Sequence, residues 1–480
     1  MTSSISIPLW LFVLLLLLAA AAALQWLLLP GVRWVVRRKV RGVLDEIQLR
    51  LKIDLPQFKL TRRRALIDRL MSDPRVLAAA HRHGLESGKP AADVTRQMLG
   101  YAREIVPAFN AYVYFRVGYW LAKTFAQLVY RVRLGYTDDA AIAAINPKST
   151  VVFVMNHRSN MDYILVSFLA AERVALSYAV GEWARIWPLQ GLIRAMGAYF
   201  VRRNSGDPLY RMVLQRYVQM ATEGGVPQAM YPEGGLSIDG RLREPKLGLL
   251  DYMLKGFNPE GERDLVFIPV GINYDRVIED RSLLRKLDEA SPRGSLWRTL
   301  RITGAYLGRQ FVFTLLGRRY RFGYACVNFG RPLSMRAWVR EHGVDFRGLT
   351  DAQRREAVGE VGRSLMATIG RTVPVLPVPL VSRVLLEDTR RAWSELELKA
   401  AVHALMDRAE AQGAHVYVPR SDRDYAISVG LRMLTLRHLA LQDDGLVRAN
   451  PAEARVLAYY ANSIDHLFEP ARQTGPEGPV

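Results

Sequence analysis

A histidine and a carboxylate five residues apart, His157 and Asp162, stand just beyond an apolar run at 151–155, in the string Asn156-His157-Arg158-Ser159-Asn160-Met161-Asp162. On one continuous helix, side chains five apart diverge by about 140°. The two can meet only if His157 lies in a turn and Asp162 in the first turn of the helix that follows. Ser159 and Asn160 are residue types that cap such a helix. In that arrangement the carboxylate binds one imidazole nitrogen and leaves the other basic and facing outward, as a general base requires. The bare spacing is cheap. It recurs at His438 and Asp443, which the patterning places within a helix, where the pair cannot meet.

Three further strings in the same stretch carry reactive residue types. GAYFVRR ends a strand on two cations, Arg202 and Arg203, suited to a phosphate. YPEGGLS places Glu233, Gly234, Gly235 and Ser237 in a turn, where glycines let backbone approach a ligand closely. LVFIPVG is a strand interrupted by Pro269, which predicts an edge strand or a bulge. Other chemistries find little footing. The single cysteine, Cys326, excludes an intramolecular disulfide and any CxxC site, and it sits in an apolar run, YACVNFG, where an inert thiol is expected. Ser237 lacks the GxSxG frame of a hydrolase elbow, and no His/Cys/Asp/Glu cluster has metal-ligand spacing.

Short apolar runs at 151–155, 174–180, 198–201, 228–231, 265–272 and 324–329 alternate with helical stretches, the texture of buried strands in an α/β domain. The expected organisation is an anchor helix at 1–32, a helical basic region at 33–144, and an α/β domain at 145–340. A helical region follows at 341–471, and a disordered tail closes the chain at 472–480. The chain of 480 residues carries a formal net charge of +20, with half its residues apolar and a tenth aromatic, so a disordered chain is excluded. Residues 33–148 hold 22 Lys/Arg against 10 Asp/Glu, and residues 281–340 hold 13 against 2. The rest is near neutral, so the excess lies in two segments.

Residues 7–29 carry no charge and are long enough to cross a hydrocarbon layer of about 30 Å. Arg33, Arg37, Arg38, Lys39 and Arg41 follow at once, which by the positive-inside rule puts the catalytic body in the cytoplasm. The aromatic stretch 105–134 reads equally as a core helix and as a helix in the bilayer interface, with Arg116, Lys123, Arg131 and Arg133 reaching lipid phosphates. The segment 295–320 combines apolar residues with five arginines and no acid, as a helix on an anionic membrane surface would. Nucleic acid has no supporting motif and leaves the anchor unexplained.

The blocks HRSNMD, GAYFVRR, YPEGGLS and VFIPVGI, in this order, resemble the HxxxxD-motif glycerolipid acyltransferases, specifically their glycerol-3-phosphate branch. PKLGLL, from Pro245, and LAYYANSIDH, from Leu457, favour that branch, and the resemblance covers roughly residues 100–470. It implies a mixed sheet flanked by helices, a membrane setting and a phosphorylated glycerol acceptor. The acyl donor would be a thioester, of CoA or of acyl carrier protein, used as co-substrate with no bound cofactor. It also implies His157 as the base and Asp162 as its orienting partner. Arg202, Arg203, Glu233, Gly234, Gly235, Ser237, Lys246 and Pro269 would then be acceptor-binding or structural positions. One departure weakens the acceptor assignment. Where the branch usually carries further arginines, this chain reads EGGLSIDGR, with Leu236 and Ile238, leaving Arg241, Arg243 or Lys246 to supply the charge. Lysophosphatidate or another phosphorylated alcohol stays open as acceptor, and a catalytically inactive, membrane-anchored binding protein is the rival from another class.

Overall fold

The computed structural model describes residues 56–170, 175–181, 189–202, 205–287 and 322–468. The expected anchor at 7–29, the basic residues from Arg33 to Arg41, Arg203, the segment 295–320 and the tail lie outside them. Among the described residues no helix is long and apolar enough to cross a membrane.

Among the described residues eight strands build one mixed sheet: β1 Arg131–Thr137, β2 Thr150–Met155, β3 Ser177–Val180, β4 Tyr199–Phe200, β5 Gln228–Met230, β6 Leu265–Tyr274, β7 Tyr324–Phe329 and β8 Leu333–Ser334. Their spatial order is β1-β7-β6-β2-β5-β3-β4, with β8 also on β6. β6, β2, β5, β3 and β4 run parallel, whereas β7 and β8 run against β6, and β1 follows β7. A strand covered on both faces must be apolar throughout. In β2, Val152 and Val154 enter one layer while Phe153 and Met155 enter the other.

The Val152 layer is closed by α1 Arg63–Met71, α2 Pro74–Ser87 and α3 Ala91–Ile105, then α6 Pro208–Glu223, α7 Gly248–Leu254 and α8 Asp351–Thr372. The Phe153 layer is closed by α4 Tyr119–Val129, α5 Met161–Ala170, α9 Pro377–Glu387, α10 Glu395–Ala411, α11 Arg423–Thr435 and α12 Ala454–Asp465. Their starts are written locally. Asp207 caps α6 by accepting from Leu209 and Tyr210 N–H, with Pro208 at the first helical position, and Ser394 and Glu397 form a reciprocal capping box on α10. The C-terminal helices share one core with the sheet: Leu380, Ile427, Leu457 and Tyr459 pack in the cluster that holds Met155 and Val270. A second sheet, β9 Trp393–Ser394, β10 Ala440–Asp443 and β11 Leu446–Ala449, sits among them.

Three local expectations are corrected. β6 is a central strand, not an edge: Pro269 pairs with Val154 of β2, and all ten β6 residues are buried. Its missing N–H faces the other side, between β8, which pairs residues 266 and 267, and β7, which begins pairing at Val270. No ladder bond is lost there, and the Pro269 carbonyl still accepts from Gly330 N–H at 2.8 Å. The aromatic stretch 105–134 does not end as a helix. Its last residues alternate cation and apolar side chain with the period of a strand, and Arg131 and Arg133 lie on β1. Finally, His438 and Asp443 are not within a helix. α11 stops at Thr435, His438 takes a left-handed turn at φ 57°, and Asp443 ends β10.

Candidate active site

β2 delivers its chain end to the site, and Asn156 fastens it. The Asn156 side chain donates to the Ile272 carbonyl at 2.9 Å and accepts from Ile272 N–H at 2.8 Å, extending the β2–β6 ladder by one side chain. His157 then lies in the turn and Asp162 in the first turn of α5, with Nδ1 2.9 Å from Oδ2. Asp162 Oδ2 also accepts from Arg158 N–H at 2.7 Å and Ser159 N–H at 3.0 Å, and Oδ1 accepts from the Tyr274 hydroxyl. An oxygen receiving two backbone N–H groups is an acceptor toward the ring as well. Nδ1 therefore carries the proton and Nε2 keeps its lone pair, the tautomer a general base needs.

Aromatic rings fix the imidazole plane. Tyr231 stacks on it with centroids 4.0 Å apart, and Tyr163 meets it edge-on at 5.5 Å. The YPEGGLS block holds the His157 backbone from both sides: Glu233 Oε1 accepts from His157 N–H at 2.9 Å, and Ser237 N–H donates to the His157 carbonyl at 2.9 Å. The Ser237 hydroxyl shapes its own turn, accepting from Gly240 N–H and donating to the Arg241 carbonyl. Gly234 has φ +66°, and a Cβ there would meet Lys246 Cδ at 2.6 Å, so the Lys246 stem lies directly over this glycine. Gly235 is the next residue of that turn, and Lys246 is exposed.

Burial pushes the Glu233 carboxyl up to about 7, against the His157 N–H bond and the Arg158 charge, which pull it down. A carboxyl that holds its proton more tightly folded than unfolded stabilises the fold at low pH and loses that contribution as pH rises through its folded value. Relative to Glu233→Gln, the native chain is therefore expected to lose on the order of 2–3 kcal/mol between about pH 4.5 and pH 7. Denaturant unfolding of both proteins across that window measures this, and parallel pH profiles would contradict it.

Of the two arginines of GAYFVRR, Arg202 is among the described residues. Arg203 lies outside the described residues. Arg202 grips Glu104 with Nε at 2.9 Å and Nη2 at 2.6 Å, with its guanidinium about 5 Å from the Tyr101 and Tyr210 rings. Its fork is already filled by a carboxylate. Arg202→Lys is expected to lower stability by about 1–2 kcal/mol while barely moving KM for a phosphorylated acceptor. A large KM rise at unchanged melting temperature would contradict this. Pro269 serves the sheet, three residues before the β6 position that Asn156 binds. Leu236 and Ile238 pack partly buried against the main core, so no cationic contact comes from their positions. Arg241 pairs with Asp465 at 3.2 Å, and Arg243 Nη1 lies 3.5 Å from the Leu236 carbonyl.

Sequence reasoning missed several contributors. Tyr274, from the end of β6, reaches Asp162. Glu279 accepts from Ser159 Oγ at 2.7 Å and from Asn160 N–H and Nδ2, and burial raises its carboxyl. Arg158 is buried, donates Nη1 to the Gly240 carbonyl, and lies 5.0 Å from the Tyr459 ring of α12. Gly240 itself has φ +93°, and a Cβ there would fall 2.0 Å from the Tyr459 carbonyl oxygen. Cys326 is buried with its thiol pushed up to about 12 by burial, and offers no nucleophile.

Two family models match the chain: "Acyltransferase" over residues 139–273, which includes β2, the His157 turn and α5, and "Glycerol-3-phosphate acyltransferase C-terminal region" over residues 312–471. A glycerol-3-phosphate acyltransferase of Xylella fastidiosa (strain M23) is 26% identical over 447 residues, covering 90% of this chain and 50% of the relative. One of Pseudomonas putida (strain W619) is 28% identical over 428 residues, covering 85% and 49%. One of Alteromonas mediterranea is 30% identical over 359 residues, covering 70% and 41%. The chain spans about half the length of the curated relatives it matches. A crystal structure of the 1-acyl-sn-glycerophosphate (LPA) acyltransferase from Thermotoga maritima aligns at a TM-score of 0.29 and 17% identity, covering 53% of this chain and 78% of that one. Residues 139–273 thus belong to an acyltransferase domain on a mixed α/β sheet. With its C-terminal region included, the chain belongs to the glycerol-3-phosphate acyltransferase branch of the glycerolipid acyltransferases.

Proposed function

We propose that the chain moves a fatty acyl group from a thioester, of CoA or acyl carrier protein, to a hydroxyl of glycerol 3-phosphate, giving lysophosphatidic acid. The observation that carries this is the buried His157–Asp162 pair, with its carboxylate saturated by three further donors and Nε2 left as the acceptor. Nε2 takes the hydroxyl proton as the oxygen attacks the thioester carbonyl. Asp162 stabilises the imidazolium that forms, which then returns the proton to the departing thiolate. No acyl-enzyme is required. Assistance of this kind is worth about 10²–10⁴-fold, with positioning and oxyanion stabilisation adding the rest. The uncharged run 7–29 and the arginines after it support a membrane anchor with a cytoplasmic catalytic body.

A second acceptor, lysophosphatidate, is favoured by one feature: Leu236 and Ile238 pack on the core where the branch usually presents arginines. Incubation of the purified full chain with acyl-CoA and each acceptor separately, with product weighed by mass spectrometry, decides between them. The expected product is monoacylated glycerol phosphate. Product from lysophosphatidate alone would reassign the acceptor, and product from neither acceptor would favour a binding role.

A further inference from the structure

The helical turn Val113–Gly118 and α4 bury Tyr114, Phe115, Gly118, Ala122, Ala126 and Val129 on their inner side. The outer side of a helix on a soluble body should be polar. Here it presents Val117, Trp120 and Leu121, which are 37%, 62% and 40% exposed, beside the exposed cations Arg116 and Lys123. From residue 105 to residue 137 the chain contains no Asp or Glu. An exposed tryptophan among aliphatics, flanked by long cationic side chains, is the composition of a helix lying in a bilayer interface.

Where α4 gives way to β1, a cavity of about 430 Å³ opens. Its wall carries Arg131, Arg133 and Arg420 with Tyr324, Tyr417 and Tyr425 and, among the described residues, no carboxylate. Arg133 Nε donates to the Tyr417 hydroxyl at 3.0 Å, Arg131 Nη1 lies 3.5 Å from the Tyr324 hydroxyl, and the Arg420 guanidinium is 4.3 Å from the Tyr425 ring. Phenols orient these guanidiniums without neutralising them. The turn that brings Arg420 here is strained: Arg420 and Ser421, neither a glycine, have φ of 60° and 56°. Three forked cations with no acid among the described lining residues suit a phosphate. Gln127 of α4 and Tyr130, the residue just after it, also line the cavity, so it is continuous with the helix. Both lie beside the catalytic end of the sheet: the Tyr130 and Tyr274 rings are 5.2 Å apart, and Tyr274 binds Asp162.

We propose that the outer face of α4 and the arginine cavity at its end form one docking surface for anionic phospholipid. Val117, Trp120 and Leu121 enter the interface, and a lipid phosphate sits among Arg131, Arg133 and Arg420. The inference rests on the membrane setting in the proposed function and adds the surface and the lipid class. Docked this way, the catalytic end of the sheet, beside Tyr130 and Tyr274, is held close to the bilayer.

The test uses the full chain in vesicles. Cys326 is buried, so Leu121→Cys can be labelled selectively with a fluorophore, and Leu85→Cys on α2, whose native side chain is 73% exposed, serves as control. With brominated phosphatidylglycerol, quenching at position 121 is expected to exceed that at position 85 several-fold, and to exceed that with brominated phosphatidylcholine. Combined Arg131→Ala, Arg133→Ala and Arg420→Ala should reduce the phosphatidylglycerol value to the phosphatidylcholine one, with turnover in detergent retained. Equal quenching at the two positions overturns the proposal, as does indifference to lipid charge or to the arginines. No quenching in either lipid overturns it too, and means that another segment of the chain covers α4. Quenching needs no turnover, so a chain that docks but transfers no acyl group would sink the proposed function alone.

Discussion

Asp162→Asn is expected to remove most of the turnover while leaving the fold nearly intact. The amide oxygen can take the place of Oδ2, accepting from His157 Nδ1, Arg158 N–H and Ser159 N–H, while its NH₂ turns to the Tyr274 hydroxyl oxygen. Geometry survives, but the charge that stabilises the imidazolium does not. The loss in kcat approaches, and is bounded by, the whole worth of general-base assistance, about 10²–10⁴-fold. Asp162→Ala should behave differently. It leaves four buried donors with no acceptor, each costing about 1–3 kcal/mol when stranded, so the turn loosens and the protein melts several degrees lower. Paired measurement of kcat and thermal unfolding for both variants separates the roles. Equal melting losses in the two, or near-native turnover in Asp162→Asn, would contradict the assignment.

Gly240→Ala should have a large effect on stability for a change of one methyl group. The new Cβ would fall 2.0 Å from the Tyr459 carbonyl oxygen, a backbone atom of α12 that cannot swing away, at a φ of +93° that alanine resists. Relief requires the turn after the YPEGGLS block to leave α12. That movement breaks the Arg158 bond to the Gly240 carbonyl and the Gly240 N–H bond to Ser237. Ser237 N–H holds the His157 carbonyl, so the displacement reaches the base. A loss of about 2–4 kcal/mol and a parallel fall in turnover are expected, read by denaturant unfolding and initial rates. Unchanged stability would show that α12 does not clamp this turn.

The sequence makes the centre of the site legible because strand, turn and helix lie in one continuous string. The spacing from His157 to Asp162 allows contact only across that junction, and the surrounding strands follow from apolar runs that must be buried on both faces. What it hides are the partners that arrive from far along the chain. Tyr274 meets Asp162 across 112 residues and Glu279 meets Ser159 across 120, with no local pattern to mark either. Tyr231, by contrast, begins the YPEGGLS block and was within reach. Arg202 looks like a phosphate ligand until Glu104, 98 residues earlier, fills its fork. Pro269 reads as an edge residue because a proline's cost depends on which side of the strand needs a donor, and the handover from β8 to β7 is a property of the sheet, not of the string.

The proposed role of His157 Nε2 is that of the base in acyl transfer to glycerol 3-phosphate. Its most direct test is a rate measurement on the purified full chain in lipid vesicles, with acyl-CoA or acyl carrier protein thioester and labelled glycerol 3-phosphate, for the native protein and His157→Ala. The native protein should form labelled acylglycerol phosphate. His157→Ala, with an unchanged melting temperature, should fall by about 10²–10⁴-fold. A folded His157→Ala protein that turns over at the native rate would contradict the claim.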